Sequence, residues 1–499
     1  MLQRVHSRPE AWPLHGVART REIEAAALQG LPPFSLMRRA GEAVARLARA
    51  IAPHTRRAWI AAGPGNNGGD GMVAATALRR AGLEVFVTLA ADPDRLQGDA
   101  RQAHALAQAE DLRWVDAAPE GFGATGDLAL DALLGVGGSR APEGRLAGLI
   151  ATLNALPCPV IAVDLPSGLN ADTGQPHGDA CVTASHTLSL LTLKPGLFTG
   201  RGRDHAGEAW LDDLSVTAEA PDAWLTPAPP AAGWHRRHAR HKGSFGDLAV
   251  IGGSHGMVGA ALLAARAGLA AGAGRVYLGT LDDAGPALDG ERPELMLRRA
   301  LWDDALLHQA TVVCGCGGGP AVRGVLPRVI GRAARLVLDA DALNALAADT
   351  SLRALLVARG RAGRPGVLTP HPLEAARLLG TDTAAVQADR LHAATTLAQE
   401  LQGVVVLKGS GSVIAAPGRA PFVNPTGNAA LATAGTGDVL ADWLGGRWAA
   451  QAGDGGDADV QALAAAAAWQ HGRAADLAPA TPLRASDLIE ALHAQQRRA

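Results

Sequence analysis

The chain has 499 residues, of which 48% are apolar, and a formal net charge of −2. That length exceeds one ordinary hydrophobic core, and the near-neutral balance argues against a protein held to nucleic acid by a basic field. No stretch is long, apolar and uncharged enough to cross a bilayer as a helix, and no apolar segment follows Arg4 and Arg8 to suggest a secretory signal. Cys158, Cys181, Cys314 and Cys316 are too few and too unevenly placed for a disulfide framework or a zinc site, so a reducing cytoplasm is expected. Of 46 basic residues only Lys194, Lys242 and Lys408 are lysines, each in a Lys-Gly or Lys-Pro-Gly context. Either this is chance, or lysine is kept where a compact ammonium fits and a guanidinium fork does not.

The first half alternates short apolar runs with helical patterns. Arg57–Ala62 reads as a strand, and Gly63-Pro-Gly-Asn-Asn-Gly-Gly-Asp-Gly71 follows it. Glycines there suit positive φ or close approach of backbone N–H groups to a ligand. A helix is expected over Asp70–Arg80, facing its N-terminus toward whatever the loop holds. Strands are expected at Glu84–Ala90, Leu128–Leu133, Val160–Asp164 and Thr187–Leu193, with a helix at Leu146–Leu156. Such alternation implies a parallel sheet covered on both faces, with ligands beyond the carboxyl ends of its strands. Asn66–Asp70, Asp131 and Asp164–Ser167 would fall at those ends. Their Asn, Asp and Ser oxygens are hard donors, suited to an alkali or alkaline-earth cation. Taken alone, Asp164 before Leu-Pro-Ser-Gly would as readily cap a turn.

Residues 218–233 carry Pro221, Pro227, Pro229 and Pro230 among alanines and have neither period, so they read as an interdomain linker. The alternation then restarts. Strands are expected at Asp247–Ile251, Arg275–Gly279, Thr311–Cys314, Arg335–Asp339, Gly366–Thr369, Val404–Lys408 and Ser412–Ala416. Helices are expected at Val258–Ala271, Leu373–Leu379, Asp389–Leu401, Asp438–Ala449 and Val460–Leu477. Lys408 precedes the turn Gly409-Ser410-Gly411-Ser412, placed to meet a phosphate. Gly435-Thr-Gly-Asp438 opens a helix whose free N–H groups make an anion hole, with Asp438 beside them to take a proton from a hydroxyl. The Gly-Lys-Ser/Thr ending of a Walker A loop is missing. The plain alternative for Asp438 is a helix cap.

Two resemblances sharpen this reading. Gly63–Gly71 with Asp164-Leu-Pro-Ser-Gly-Leu-Asn-Ala-Asp-Thr-Gly174 resembles the NAD(P)H-hydrate epimerase domain, a Rossmann-like three-layer sandwich. The resemblance implies that Asn66, Asn67, Gly68, Gly69 and Asp70 bind the hydrated coenzyme. It gives the lining role to Gly135, Val136, Gly137, Gly138, Ser139, Arg140 and Ala141, and makes Asp164 the acid/base group. Potassium would be held by Asn67, Asp131 and Ser167. Lys194-Pro-Gly-Leu-Phe-Thr-Gly-Arg-Gly-Arg203 fits the same pattern near the end of that domain.

Lys242-Gly-Ser-Phe-Gly-Asp247, Pro293-Glu-Leu-Met296, Asp339-Ala-Asp-Ala-Leu-Asn344, Leu368-Thr-Pro-His-Pro-Leu-Glu374 and Gly435–Asp438 together resemble the ADP-dependent NAD(P)H-hydrate dehydratases, of ribokinase-like α/β fold. This implies that Ala260, Gly317, His371 and Asp438 contact the hydrate, with Asp438 catalytic. Lys408, Gly409, Ser410, Gly411, Ser412 and Gly437 would bind the adenine nucleotide, with ADP as co-substrate and magnesium as its aid. Ala434 and Asp442 stand where that family more often has glycine, and Cys316 where it has proline.

The expected organisation is an epimerase domain over 1–217, the linker 218–233, and a dehydratase domain over 234–499. The expected activity is repair of hydrated NADH and NADPH: the R and S forms are interconverted and the S form is dehydrated with ADP, giving AMP and phosphate. A cytoplasmic homo-oligomer that binds small nucleotides, and neither nucleic acid nor membrane, is expected. Two other readings are an ATP-dependent small-molecule kinase fused to a nucleotide-binding domain, and a non-catalytic NAD sensor with decayed sites.

Overall fold

The computed structural model describes residues 2–6, 8–230, 238–299, 304–453, 459–478 and 482–497. Two compact units divide the chain: Met1–His6 with Trp12–Trp224, and Ser7–Ala11 with Leu225–Ala499. Of the expected linker, Ala223–Leu225 is a short strand, and 231–233 lie outside the described residues.

The first unit is built on a sheet ordered Leu2–Arg4, Glu208–Asp212, His186–Leu190, Val160–Val163, Asp127–Ala132, Arg57–Ala62, Glu84–Leu89, Arg113–Trp114. All neighbours are parallel except the edge strand Leu2–Arg4. Side chains alternate between two buried faces: Ala58, Ile60 and Ala62 enter one core, Trp59 and Ala61 the other. Burial on both sides is why these strands read as unbroken apolar runs. The chain leaves Arg57–Ala62 toward Glu84–Leu89, then returns to its other side at Asp127–Ala132. The switch point therefore lies between the loops after Ala62 and Ala132.

The helix after the glycine-rich loop begins at Asn66, four residues earlier than the sequence pattern places it, and runs to Arg80. None of Gly63, Gly65, Gly68, Gly69 and Gly71 has positive φ. Close approach explains four of them. An added Cβ would sit 1.8 Å from Leu133 O at Gly63, 2.0 Å from Gly63 O at Gly68, 2.6 Å from Met37 Cε at Gly69, and 2.5 Å from Ala132 Cβ at Gly71.

The second unit repeats the logic. Its strands run Met296–Leu297, Arg275–Thr280, Asp247–Gly252, Thr311–Cys314, Arg335–Leu338, Val367–Leu368, Val404–Leu407, all parallel, and then Val413–Ala415 and Phe422–Val423 antiparallel. Leu248 and Val250 enter one core, Ala249 and Ile251 the other. The alanine run lies in the helix Val460–Leu477, where Ala464, Ala465, Ala467 and Ala468 are buried. Small residues also let the helices Val258–Ala270 and Thr436–Gly453 approach closely: a Cβ on Gly446 would meet Gly268 O at 2.5 Å. Here the switch point falls between the loops after Gly252 and Cys314, which are joined by Gly253 N–H to Cys316 O at 2.9 Å and Ser254 N–H to Gly317 O at 2.7 Å.

Two candidate active sites

In the first unit a cavity of about 470 Å³ opens at the switch point. Asn66, Asn67 and Asp70 from the first turns of the Asn66–Arg80 helix line it. So do Gly135–Gly138 from the loop after Asp127–Ala132, Asp164 after Val160–Val163, and Lys194 beyond His186–Leu190. Thr20, Glu24 and Leu28, spaced four apart on the helix Val17–Gln29, form another wall. Of the residues expected to line the substrate, Ser139, Arg140 and Ala141 are exposed and do not border this cavity. The turn closed by Gly138 N–H to Gly135 O at 3.0 Å ends the stretch that borders the cavity.

Asp164 is buried and takes φ +65, a left-handed conformation that costs a non-glycine residue energy. Its N–H donates to Leu188 O at 2.7 Å, and its Oδ1 accepts from Leu190 N–H at 3.2 Å and from the Lys194 ammonium. Lys194 is 1% exposed and spends its other donors on Leu190 O at 2.8 Å and Thr192 O at 3.0 Å. The pair therefore locks a carboxylate at the cavity wall. Nearby, burial and the charges of Asp164, Glu24 and Asp99 push Asp70 well above the usual carboxylate range.

Asp131 is fully buried under this wall. Ser167 Oγ–H donates to its Oδ1 at 2.6 Å and Ser167 N–H to its Oδ2 at 2.8 Å. Burial pushes it up to about 6. Asn67 is buried as well, and neither its Oδ1 nor its Nδ2 has a hydrogen-bond partner. That leaves the amide beside the cavity with its hydrogen-bonding capacity free. Gly135 keeps the space beside the amide open, since an added Cβ would lie 3.3 Å from Asn67 Oδ1.

In the second unit the carboxyl ends of adjacent strands converge on Lys408. Its ammonium donates to Asp339 Oδ1 at 2.7 Å, and Thr369 Oγ1–H donates to the same oxygen at 2.8 Å. Asp339 follows Arg335–Leu338, Thr369 follows Val367–Leu368, and Lys408 follows Val404–Leu407. Asp438 lies in the first turn of Thr436–Gly453, two residues inside the helix start, and is not its N-cap. The N-terminal N–H groups and the positive end of that helix favour an anion. Gly437 closes the gap to the lysine: a Cβ there would lie 3.3 Å from Lys408 Nζ. His471 donates Nε2–H to Thr436 O at 2.9 Å and so braces this turn. Burial, then the negative charge of Asp339, lifts Asp438 to about 6.

Gly409 and Gly411 both take positive φ, +143 and +62, in the turn that carries Ser410 and Ser412. Ala260 and Gly317 meet, an added Cβ on Gly317 lying 3.0 Å from Ala260 Cβ. His371 stands apart in role. Its Nδ1 accepts from Leu373 N–H at 3.1 Å and Glu374 N–H at 3.2 Å, capping the helix Pro372–Leu379. Nδ1 must then carry no proton, so the ring presents Nε2–H, 3.2 Å from Glu374 Oε1. Glu374 is itself buried and pushed up to about 7.

Sequence reasoning did not single out Glu24, Asp339 or Glu374 as site residues, and placed Lys194 only as a mark of the domain's end. The scarcity of lysine was the available signal: Lys194 and Lys408 each sit against a buried aspartate, whereas Lys242 is exposed.

Residues 248–497 match the family described as NAD(P)H-hydrate dehydratase, and residues 33–196 the one described as YjeF-related protein N-terminus. The chain is 39% identical over 454 residues to the bifunctional NAD(P)H-hydrate repair enzyme Nnr of Escherichia coli (strain K12), covering 86% of this chain and 83% of that one. It is 38% identical over 444 residues to the enzyme of the same name from Coxiella burnetii, covering 85% and 88%. A solved ADP/ATP-dependent NAD(P)H-hydrate dehydratase from Bacillus subtilis, co-crystallised with ATP/Mg2+, is 31% identical with a TM-score of 0.44, covering 53% of this chain and 93% of that one.

Proposed function

The chain belongs to the bifunctional NAD(P)H-hydrate repair enzymes, and from that premise we propose that each unit performs one step of the repair. The first unit interconverts the R and S hydrates, and the second removes water from the S hydrate at the expense of ADP.

In the hydrate, the reacting hydroxyl sits on the ring carbon next to nitrogen. Protonated, it leaves as water and a flat iminium remains; water returning to the opposite face gives the other epimer. Asp164 serves as the group that gives and takes that proton. Lys194 holds it in place and balances its charge. Asn66–Asp70 and Gly135–Gly138 orient the coenzyme along the cavity. The unsatisfied amide of Asn67 and the buried oxygens of Asp131 and Ser167 fit a hard monovalent cation, and potassium would be held there. When bound, it would supply positive charge to the cavity wall.

In the second unit hydroxide is too poor a leaving group at neutral pH. Asp438 accepts the hydroxyl proton, and the oxygen attacks the β-phosphorus of ADP. The bond from that phosphorus to the bridging oxygen breaks, and AMP departs. Phosphate then leaves the ring carbon, and loss of the neighbouring C–H proton restores the double bond. Lys408, the Gly409–Ser412 turn and the helix start at Gly437 offset charge on the transferring phosphoryl group. Magnesium is proposed as counter-ion of the nucleotide's phosphates. Ala260, Gly317 and His371 are proposed to border the nicotinamide end.

The observation that carries this reading is Asp438 at a helix N-terminus, lifted to about 6, in the same turn as a glycine that lies against a lysine ammonium. The test is full recovery of NADH from a mixture of both hydrate epimers with the full chain and ADP. Asp438→Ala should abolish recovery, and Asp164→Asn should halt it once the S form is spent. Recovery with neither ADP nor ATP, or an unaltered rate in Asp438→Ala, would falsify the assignment.

A further inference from the structure

Beside Asp438 the second unit holds a thiol among carboxylates that the dehydration does not use. Cys316 is buried, with its Sγ 3.6 Å from Asp442 Oδ2 and 4.0 Å from Asp339 Oδ2. Ligand atoms of Cys316, Asp339 and Asp438 all lie within 4.8 Å of one another. Sulfur at ~2.3 Å and oxygens at ~2.0 Å from one tetrahedral metal would stand about 3.5 Å apart, so the group is already near coordination spacing. Lys408 and Thr369 occupy Asp339 Oδ1, leaving Oδ2 turned toward the sulfur. Asp442 is wholly buried, and its Oδ1 has no hydrogen-bond partner. Lys408 brings one positive charge to three carboxyls and a thiol, which leaves room for a cation.

We infer that Cys316, Asp339 and Asp438 form a binding site for a zinc-class divalent cation, with Asp442 the buried carboxyl that supports the sulfur. Binding replaces the thiol proton, which passes to water, with a sulfur–metal bond. A thiolate beside carboxylates selects the zinc end of the divalent series over magnesium. Asp438 is half-buried, the one member of the three that keeps contact with solvent. A metal on Asp438 takes the lone pair that the proposed dehydration needs, so occupancy silences the second unit and spares the first. This last step rests on Asp438 being the base; the site itself does not.

Titration of the nucleotide-free full chain with Co2+ alone tests the site. A stoichiometric thiolate-to-cobalt charge-transfer band is expected, persisting in excess Mg2+, absent in Cys316→Ser and Cys316→Ala, and kept in Cys314→Ser. Asp442→Asn should weaken Co2+ binding by about 10–100-fold. A wild-type chain without the band, or a Cys316→Ser chain of unchanged thermal midpoint that keeps it, overturns the site. Zn2+ should then stop ADP-dependent recovery of NADH, with a chelator restoring it; full turnover in saturating Zn2+ overturns the blocking step. If Co2+ binds as expected while the metal-free chain shows no dehydration, the dehydratase reading falls and the site stands.

Discussion

Each unit sets a lysine against a buried aspartate that follows a parallel strand, yet the two pairs are built for different work. Lys194 is enclosed, with its donors spent on Asp164 and on two backbone carbonyls of its own turn. Lys408 keeps 17% of its side chain exposed, and hydrogen-bonds one carboxylate oxygen beside a helix N-terminus. An ammonium with every donor used can only fix the geometry and charge of its partner. One that still faces an opening can also meet an incoming phosphate. The difference lies in the turns: Leu190–Lys194 wraps back on its own carbonyls, whereas Lys408 stands at the strand's end before a glycine turn.

Disabling one site at a time gives the largest effect. Asp438→Asn should lower ADP-dependent dehydration by ~10²–10⁴-fold while epimer exchange, followed by chromatography of the hydrates, keeps its rate. A fall in both would mean that the units are not independent. Next come the lysines. Lys194→Met leaves Asp164 buried without its counter-charge and should cost about 3–5 kcal/mol in urea unfolding of the first unit. Lys194→Met with Asp164→Asn should regain most of that stability and none of the epimerase rate; recovered activity would refute a fixed, working pair. Lys408→Met should instead raise the KM for ADP most strongly.

The glycine loops offer a third contrast. Gly68→Ala drives a methyl onto backbone 2.0 Å away and should cost ~1–3 kcal/mol or more. Gly437→Ala meets the flexible tip of Lys408 at 3.3 Å, so its thermal midpoint should hold while affinity for ADP falls. The smallest effect is on pH. Asp438 works as a base only when ionised, so the dehydration rate should fall as pH drops through about 6. The folded-state pKa stands above that of a free aspartate, ~3.9, so the native chain takes up this proton first and gains stability between about 6 and 4 as the activity is lost. Lys408 lowers that pKa, and Lys408→Met should move the limb to higher pH.

Much of this was legible in the residues. Thr311–Cys314 and Val460–Leu477 have the bounds the sequence pattern gives them, because a β-branched run and an alanine-rich stretch each end in residues that break the pattern. The helix Val17–Gln29 was not legible: only Thr20 of it is buried, so it shows no apolar stripe to read. Ser35–Ile51 does carry such a stripe, in Leu36, Met37, Ala40, Val44 and Leu47, and was overlooked. The lysine pairings join residues 30 and 69 positions apart, which only the strand order brings together. The glycines of 63–71 lead to a loop that borders the first cavity, but close packing, not positive φ, requires four of the five.

All the residues around the first cavity come from Trp12–Trp224, and all those assigned to the second site from Leu225–Ala499. One translation event therefore makes one copy of each catalyst. Making more of this protein raises both activities together and leaves their ratio unchanged.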